Sequence, residues 1–183
     1  MRGNATIGAP DLQDPHWLFG TGRVFDIERT ILYGIRASGR ARNVTEMPAF
    51  GQTGLLSPGQ IQSLVTYLLR LNGRSNDAAG AADGRAVYLG KGGCGDCHGA
   101  DARGNADYGA PNLTTNSLPD GVSAQALYDS IYFGRHNMMP GFATVLTLGE
   151  MRALAVSIYA ASHQAPTPSA GAAPGGAGAR AGS

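Results

Sequence analysis

The sequence predicts an all-α protein with long loops, and three observations lead to this prediction. Two amphipathic segments follow strong helix-start signals, at residues 57–71 and 147–158. Glycine makes up 28 of the 183 residues, about twice the usual share of ~7%, which indicates extensive loop structure. No segment shows the two-residue hydrophobic alternation, bounded by turn residues, that is typical of strands. We therefore expect helices that are joined by glycine-rich loops.

The two best-defined helices stand at matching places in the two halves of the chain. The stretch SPGQ at residues 57–60 offers an N-cap serine, a proline at the first helical position and a glutamine three residues after the cap. The apolar residues that follow lie on one helical face: Ile61, Leu64, Val65, Leu68 and Leu71. Thr147 and Glu150 form a second capping box, and a similar face follows it: Met151, Leu154, Ala155 and Ile158.

The rest of the chain divides into shorter helices, a linker and a tail. Shorter helices are predicted for three segments: Val24–Tyr33, Ala124–Phe133 and 83–91. Residues 76–82 belong to a Gly/Ala/polar stretch and are predicted to be a flexible linker. Residues 164–183 are rich in Ala, Gly and Pro, and this composition predicts a disordered tail.

Composition excludes two classes of partner. The formal net charge is +1, and charged residues make up 15% of the chain. This balance provides neither the basic surface of a nucleic-acid-binding protein nor a polybasic patch for membranes. The sequence contains no apolar run of ~18 residues and no pattern typical of a signal peptide.

An internal repeat relates the two halves. The stretch RGNATIGAPDL at residues 2–12 returns as RGNADYGAPNL at residues 103–113, an offset of 101 residues. The second copy follows both cysteines of the chain, whereas the first copy follows only Met1. The repeat predicts two related domains, a partial one at residues 1–75 and a complete one at residues 83–163.

The residues with the clearest chemistry are Cys94, Cys97 and His98. Two thiols three positions apart can each form a thioether with a haem, while the histidine that follows reaches the iron. A zinc site and a redox disulfide are the alternatives. Zinc would need two further ligands, and the sequence has no second Cys pair or spaced His pair. A thioredoxin-like disulfide is expected in a βαβ context, which this sequence lacks. Covalent haem attachment is therefore favoured.

A proline downstream provides a candidate partner for the histidine. An iron-bound histidine usually donates its other ring N–H to a fixed acceptor, which sets the ring plane. The backbone carbonyl of Pro111, in the stretch GAPNL, could accept this hydrogen bond from His98. An ordinary turn proline is the alternative interpretation of Pro111.

Methionine is the candidate for the opposite side of the iron, because its thioether is a neutral ligand that raises the reduction potential. Met138 and Met139 compete for this role, and His136 is a rival ligand. The stretch MPAF at Met47 repeats as MPGF at Met139, so the methionine before proline is the predicted ligand. Met139 is assigned to the His98 haem and Met47 to a first haem.

Together these motifs resemble a class I cytochrome c domain: CxxCH near a first helix, a GxPxL-type loop, a Met-Pro loop and a terminal amphipathic helix. The resemblance covers residues 83–162 and implies tandem class I cytochrome c domains, the first incomplete, with a loop-rich region around the haem. It also implies that Gly84 and Tyr88 lie on the helix face that crosses the last helix near Tyr159.

The first half is similar to one tandem family in particular, the dihaem subunit III of cbb3-type cytochrome c oxidase. The resemblance rests on GAPDL at residues 8–12, WLFG at residues 17–20, and the run from Thr30 to Ile35 before MPAF. The second half departs from the pattern, because residues 116–123 lack a WLFG equivalent.

This resemblance implies an electron-carrying subunit that is not catalytic by itself. Electrons would pass from a soluble donor cytochrome through haem c groups to the haem-copper catalytic subunit. The implied location is the periplasmic face of the bacterial inner membrane, with an N-terminal anchor that this sequence lacks. The alternatives are a dihaem cytochrome that serves a dehydrogenase, a free electron shuttle, a five-coordinate ligand sensor and a haem-free interaction module.

The repeat also sets the expected number of haems. Subtracting the offset of 101 residues from Cys94 places the first CxxCH upstream of residue 1. We therefore expect an N-terminally truncated member of the family, with one haem c in this chain and two in the full-length protein.

Overall fold

The computed structural model describes residues 3–4, 9–13, 17–37, 45–115, 118 and 120–163. Six helices occupy this part of the chain in the order α1 (Val24–Tyr33), α2 (Pro58–Leu71), α3 (Ala78–Leu89), α4 (Cys94–His98), α5 (Ala124–Phe133) and α6 (Leu148–His163). The β structure among the described residues is limited to isolated bridges. The all-α prediction is confirmed for this part of the chain, and the predicted tail at residues 164–183 lies outside it.

Helices α2 and α6 begin where their capping signals predict. The hydroxyl of Ser57 accepts a hydrogen bond from the backbone N–H of Gln60 at 3.3 Å, and the Gln60 side chain accepts from the Ser57 N–H at 3.0 Å. The carboxylate of Glu150 accepts from the Thr147 N–H at 2.8 Å in the same arrangement. These hydrogen bonds to Thr147 lower the pKa of Glu150. Both caps satisfy backbone donors that a helix start leaves unpaired.

Helices α1 and α5 have the bounds that the sequence predicts, and each ends at a glycine. Gly34 has φ 78° and Gly134 has φ 72°, a left-handed conformation that favours glycine. The chain turns away from the helix at both glycines, so the two halves repeat this local structure as well as the sequence.

Helix α3 begins at Ala78, five residues before the predicted start, so residues 78–82 are helical and do not form a linker. The side chain of Asp77 caps the helix by accepting from the Gly80 N–H at 2.9 Å. The sequence does not predict this first turn, because its alanine and glycine residues provide no hydrophobic periodicity.

Helix α3 packs against α2, which corrects the expectation that Gly84 and Tyr88 would cross the last helix near Tyr159. A Cβ atom at Gly84 would lie 2.0 Å from the carbonyl oxygen of Ser63, so the absence of a side chain allows the two helices to approach closely. The rings of Tyr67 and Tyr88 lie beside this contact, with centroids 5.4 Å apart. The short connection at residues 72–77 makes α2 and α3 neighbours, as is usual for helices that are joined this way.

Two clusters of buried apolar residues form the interior. The large core combines α2, α3 and α5 with two loop residues: Leu56, Ile61, Leu64, Val65, Tyr67, Leu68, Tyr88, Ala102, Leu127 and Ile131. The small core joins α1 to α6: Ile27, Ile31, Met151 and Ala155. Both cores combine residues from the two halves of the chain. The division into domains at residues 1–75 and 83–163 stays a prediction.

None of the helices in the described ranges combines the length and the apolar character that crossing a lipid bilayer requires.

Candidate haem centre

Helix α4 carries the three residues that the sequence analysis singled out, Cys94, Cys97 and His98. A tight glycine turn brings the chain from α3 into this helix. The N–H of Gly92 donates to the Val87 carbonyl at 2.8 Å, and Gly93 has φ 57°. This turn places the three side chains beside the C-terminal end of α3.

The environment of the two cysteines differs from that of a redox pair. Both are half-buried, and neither forms a disulfide. Burial, with smaller contributions from Cys97 and Asp96, raises the pKa of the Cys94 thiol to about 11. Thiols that act as redox nucleophiles have a lowered pKa, so this environment disfavours a thioredoxin-like role. Among the described residues, no group of three His, Cys, Asp or Glu side chains is placed to hold a metal ion.

The histidine is held by the proline that the sequence analysis named. His98 Nδ1 lies 3.0 Å from the carbonyl oxygen of Pro111. A carbonyl can only accept, so Nδ1 carries the proton and Nε2 keeps its lone pair. Burial lowers the pKa of His98, and the hydrogen bond to Pro111 opposes part of this effect. The ring is thus a neutral imidazole in the tautomer that binds a metal through Nε2.

The loop at residues 99–113 positions Pro111 through backbone hydrogen bonds. Asn105 and Ala110 exchange two of them, at 2.9 and 3.0 Å, and the Gly104 N–H donates to the His98 carbonyl at 2.8 Å. A Cβ atom at Gly104 would lie 2.6 Å from the Asn112 nitrogen, and the φ of 86° there also requires glycine. The glycine allows the loop to fold back on itself and present the Pro111 carbonyl to the histidine.

Tyr88 contacts the backbone of this site, and the sequence alone did not predict this contact. It is 1% exposed, and its hydroxyl donates to the carbonyl of Gly99 at 2.8 Å. Burial raises the pKa of Tyr88, so the phenol remains a donor at neutral pH. The hydrogen bond fixes the backbone directly after His98. The signal in the sequence was a tyrosine six residues before CxxCH, on the face of α3 that also carries Gly84.

The first half contains the same loop structure as the site. Asn4 and Ala9 exchange two backbone hydrogen bonds at 2.8 and 3.0 Å, and Gly3 has φ 71°. Pro10 follows this turn as Pro111 follows its counterpart. The repeated sequence therefore corresponds to a repeated loop, although residues 5–8, which include Gly8, lie outside the described residues.

The structure places the two methionines of the Met-Pro stretches in different surroundings. Met47 packs against the large core, as does Cys94. Met139 exchanges two backbone hydrogen bonds, at 2.9 and 3.0 Å, with Ile35, which lies just after the end of α1. Met138 is 65% exposed, and His136 is exposed. The structure therefore brings Met47, and not the predicted Met139, to the core beside α4.

The residues present fit a covalently attached haem. Two unpaired thiols and an imidazole with a free Nε2 lie on one short helix beside an apolar core. Thioether attachment and axial ligation of a c-type haem need this set of donors in this spacing. Cys94 and Cys97 would hold the group, and His98 would ligate its iron.

Comparison with known proteins decides the family. Residues 79–156 match the family described as "Cytochrome C oxidase, cbb3-type, subunit III". Curated relatives named cbb3-type cytochrome c oxidase subunit CcoP or FixP align with most of the chain at 32–38% identity. The chain belongs to this family. The helical architecture of the described residues is consistent with the cytochrome c fold that subunit III implies.

Three relatives illustrate the similarity to these oxidase subunits. The cbb3-type cytochrome c oxidase subunit CcoP of Azospirillum brasilense is 38% identical over 164 residues, which cover 86% of this chain and 55% of the relative. CcoP of Cereibacter sphaeroides is 35% identical, over 84% of this chain and 52% of the relative. Subunit FixP of Bradyrhizobium sp. is 34% identical, over 83% and 52%. The chain spans about half the length of these relatives.

Proposed function

We propose that this chain is the electron-transfer part of a cbb3-type oxidase subunit and holds haem c at Cys94, Cys97 and His98. The observation that carries the proposal is the contact of His98 with Pro111, which leaves Nε2 free on the helix that carries both thiols. The named relatives, which are cbb3-type oxidase subunits, support the same role. A haem bound here would supply one-electron chemistry.

The chain's own residues would prepare the site for this role. The thiols would fix the group covalently, and the Pro111 carbonyl would orient the His98 ring and increase its basicity. Tyr88 would hold the backbone after the histidine through its bond to Gly99. The large core on one side would exclude water, and a dry surrounding is one of the factors that set a reduction potential.

The family supports a proposal for the position of the chain in the respiratory complex. We place the chain at the periplasmic face of the inner membrane, where it would receive electrons from a soluble donor cytochrome and pass them to the haem-copper subunit. The full-length protein would contain two haem c groups in tandem class I domains. The repeated loop at Gly3 to Pro10 and the greater length of the relatives support this arrangement.

Covalent attachment is tested by extraction. The chain would be expressed with haem-attachment machinery and treated with acidic acetone, which removes haem that is not covalently bound. We expect the unchanged chain to keep its haem and a Cys94→Ser/Cys97→Ser double variant to lose it. Loss from the unchanged chain would disprove the attachment.

Purification from native membranes tests the partner. Affinity purification of the full-length protein should recover the haem-copper subunit of the oxidase. Recovery of a dehydrogenase, or of the free cytochrome alone, would support the two alternative electron-transfer roles and contradict this one.

A further inference from the structure

The side chain of Arg36 joins two segments of similar sequence, one from each half of the chain. These Met-Pro segments are residues 45–48 (TEMP) and 137–140 (NMMP), and Thr45 and Asn137 each lie two residues before the methionine that precedes proline. Nη1 of Arg36 donates to the Asn137 carbonyl at 3.0 Å, and Nη2 donates to the Thr45 carbonyl at 3.1 Å. A single guanidinium therefore binds the same carbonyl of both segments.

The backbone of Arg36 has an unfavourable conformation. Its φ is 52°, in the left-handed region that is uncommon for residues with a Cβ atom. Among the described residues, Ala102 is the other non-glycine residue with a positive φ. His136 occupies the equivalent place after α5, two residues after Gly134, and it is exposed. The turn after α1 thus differs from its repeat after α5 at the residue that contacts both segments.

The guanidinium is enclosed in spite of its charge. Nε of Arg36 is buried and has no hydrogen-bond partner in the part of the chain that the structure describes. A buried donor without a partner and a left-handed backbone both disfavour folding. Such features persist where the surrounding structure requires them. The two carbonyls that the guanidinium binds provide a reason for Arg36 at this place.

The two Met-Pro segments also pair with the turns that end α1 and α5. Met47 exchanges two backbone hydrogen bonds with Arg135 after α5, and Met139 exchanges two with Ile35 after α1. Met47 packs on the large core, against which Cys94 also packs. A displacement of the first segment would therefore open this core beside the candidate haem centre.

We infer that Arg36 is a positioning residue for the haem centre. It fixes the two Met-Pro segments relative to each other and thereby keeps the segment at residues 45–48 closed over the large core. The inference rests on the proposed function, because it concerns the surroundings of the same haem. Arginine suits this role because its planar guanidinium presents separate N–H donors in a fixed geometry, which lysine does not.

The variant Arg36→Gly distinguishes a positioning residue from a residue that only forms the turn. Glycine adopts a positive φ more readily than arginine, so the turn itself should form at least as well. We expect the amides of Met47 and Met139 to exchange with solvent about tenfold faster in the haem-loaded chain, because each segment loses a hydrogen bond. Nuclear magnetic resonance measures both rates. The amide of Leu64, inside α2, is the internal reference and should be accelerated less.

The reduction potential of the haem is a second readout, which a residue that only forms the turn would not change. An open core admits water, and water stabilises the more highly charged ferric state, so Arg36→Gly should lower the potential. Arg29→Gln is the matched control for the lost charge, since Arg29 is exposed on α1. This control should leave the potential and both exchange rates nearly unchanged.

The variant Arg36→Lys separates position from charge. Lysine keeps the positive charge but not the two-pronged geometry, so it should restore the potential only in part. If Arg36→Lys restores the potential completely while both methionine amides still exchange rapidly, the charge alone sets the potential and the positioning role is wrong.

The outcomes also separate this inference from the proposed function. If acidic acetone removes the haem from the unchanged chain, the proposed function is wrong, whatever the exchange rates are. If the haem is retained and Arg36→Gly accelerates only one methionine amide or neither, the function stands and the joint positioning by Arg36 is wrong. Equal acceleration of Met47, Met139 and Leu64 would show a general loss of stability and would also overturn the inference.

Discussion

The large and small cores are built on helices of the same design, but they bury those helices to different extents. Helices α2 and α6 both start with a capping box and continue with an apolar face. Leu64, four residues after Gln60, is 1% exposed, whereas Leu154, four residues after Glu150, is 45% exposed. The difference comes from α3, which covers α2, while α6 has α1 as its helix partner within the described ranges. An amphipathic face thus provides a surface for packing without specifying the partner.

The largest expected difference in stability is between alanine variants of two leucines at equivalent positions of α2 and α6. Leu64→Ala should lower the free energy of unfolding by about 4 kcal/mol, since it leaves a cavity in the large core. Leu154→Ala should lower it by less than about 0.5 kcal/mol, because the side chain is largely exposed. Denaturant unfolding of the haem-loaded chain measures both. Equal losses would mean that α6 has a partner equivalent to α3, and the comparison would fail.

A smaller effect is expected at the contact between α2 and α3. Gly84→Ala should cost about 2–3 kcal/mol, because the added Cβ would meet the carbonyl oxygen of Ser63. The matched control is Gly59→Ala in α2, where no atom lies within 4 Å of the added Cβ. This variant should be neutral or stabilising by up to about 1 kcal/mol. If both variants unfold at the same denaturant concentration, α3 does not pack on α2 at Gly84.

Asn72 offers a test of how the end of α2 joins the loop of the site. Its side-chain amide donates to the Leu68 carbonyl at 2.9 Å and to the Leu113 carbonyl at 2.8 Å. Asn72→Ala should therefore lower the free energy of unfolding by about 1–2 kcal/mol, since two part-buried carbonyls lose a donor. The exposed Asn76 provides the control, and Asn76→Ala should change stability by less than about 0.5 kcal/mol. If the two variants have the same free energy of unfolding, the Asn72 side chain does not join the end of α2 to this loop.

The smallest effect on stability is expected at the ion pair between α6 and α1. Arg152 on α6 donates to both carboxylate oxygens of Glu28 on α1, at 3.0 and 3.2 Å, and the side chains of Arg152 and Glu28 are 68% and 14% exposed. Arg152→Ala should cost about 0.5–1 kcal/mol, because a two-point contact to a largely buried carboxylate is lost, and the difference from the unchanged chain should shrink in high salt. A loss that is large or independent of salt would show that α1 and α6 are held together more strongly than this structure indicates.

Much of the local structure could be predicted because its signals are local. The bounds of α1 and α5 follow from hydrophobic spacing and a terminal glycine, and the start of α2 follows from the capping box at Ser57. The spacing of Cys94, Cys97 and His98 identified the candidate site. The contact between His98 and Pro111 could be anticipated because only a short loop separates them.

The pairing of the helices could not be predicted in the same way. The repeat provides two similar apolar helices, α2 and α6, and either has a face on which α3 could pack. The choice depends on the backbone approach of Gly84 to Ser63 and on the tilted contact between the rings of Tyr67 and Tyr88, which are tertiary contacts that the apolar pattern of a single helix does not encode. The assignment of Met139 assumed that each half keeps its own Met-Pro segment. The repeat alone does not show whether a Met-Pro segment pairs with its own half of the chain or with the opposite half.

Hydrogen exchange by mass spectrometry on the haem-loaded 183-residue chain tests most directly whether α2 packs against α3 while α6 packs against α1. It compares the protection of α2, α3 and α6 in one measurement. We expect α2 and α3 to exchange slowly and together, because both belong to the large core, and α6 to exchange much faster. If α6 is protected together with α3 while α2 exchanges rapidly, each half closes on its own final helix and the central claim is contradicted.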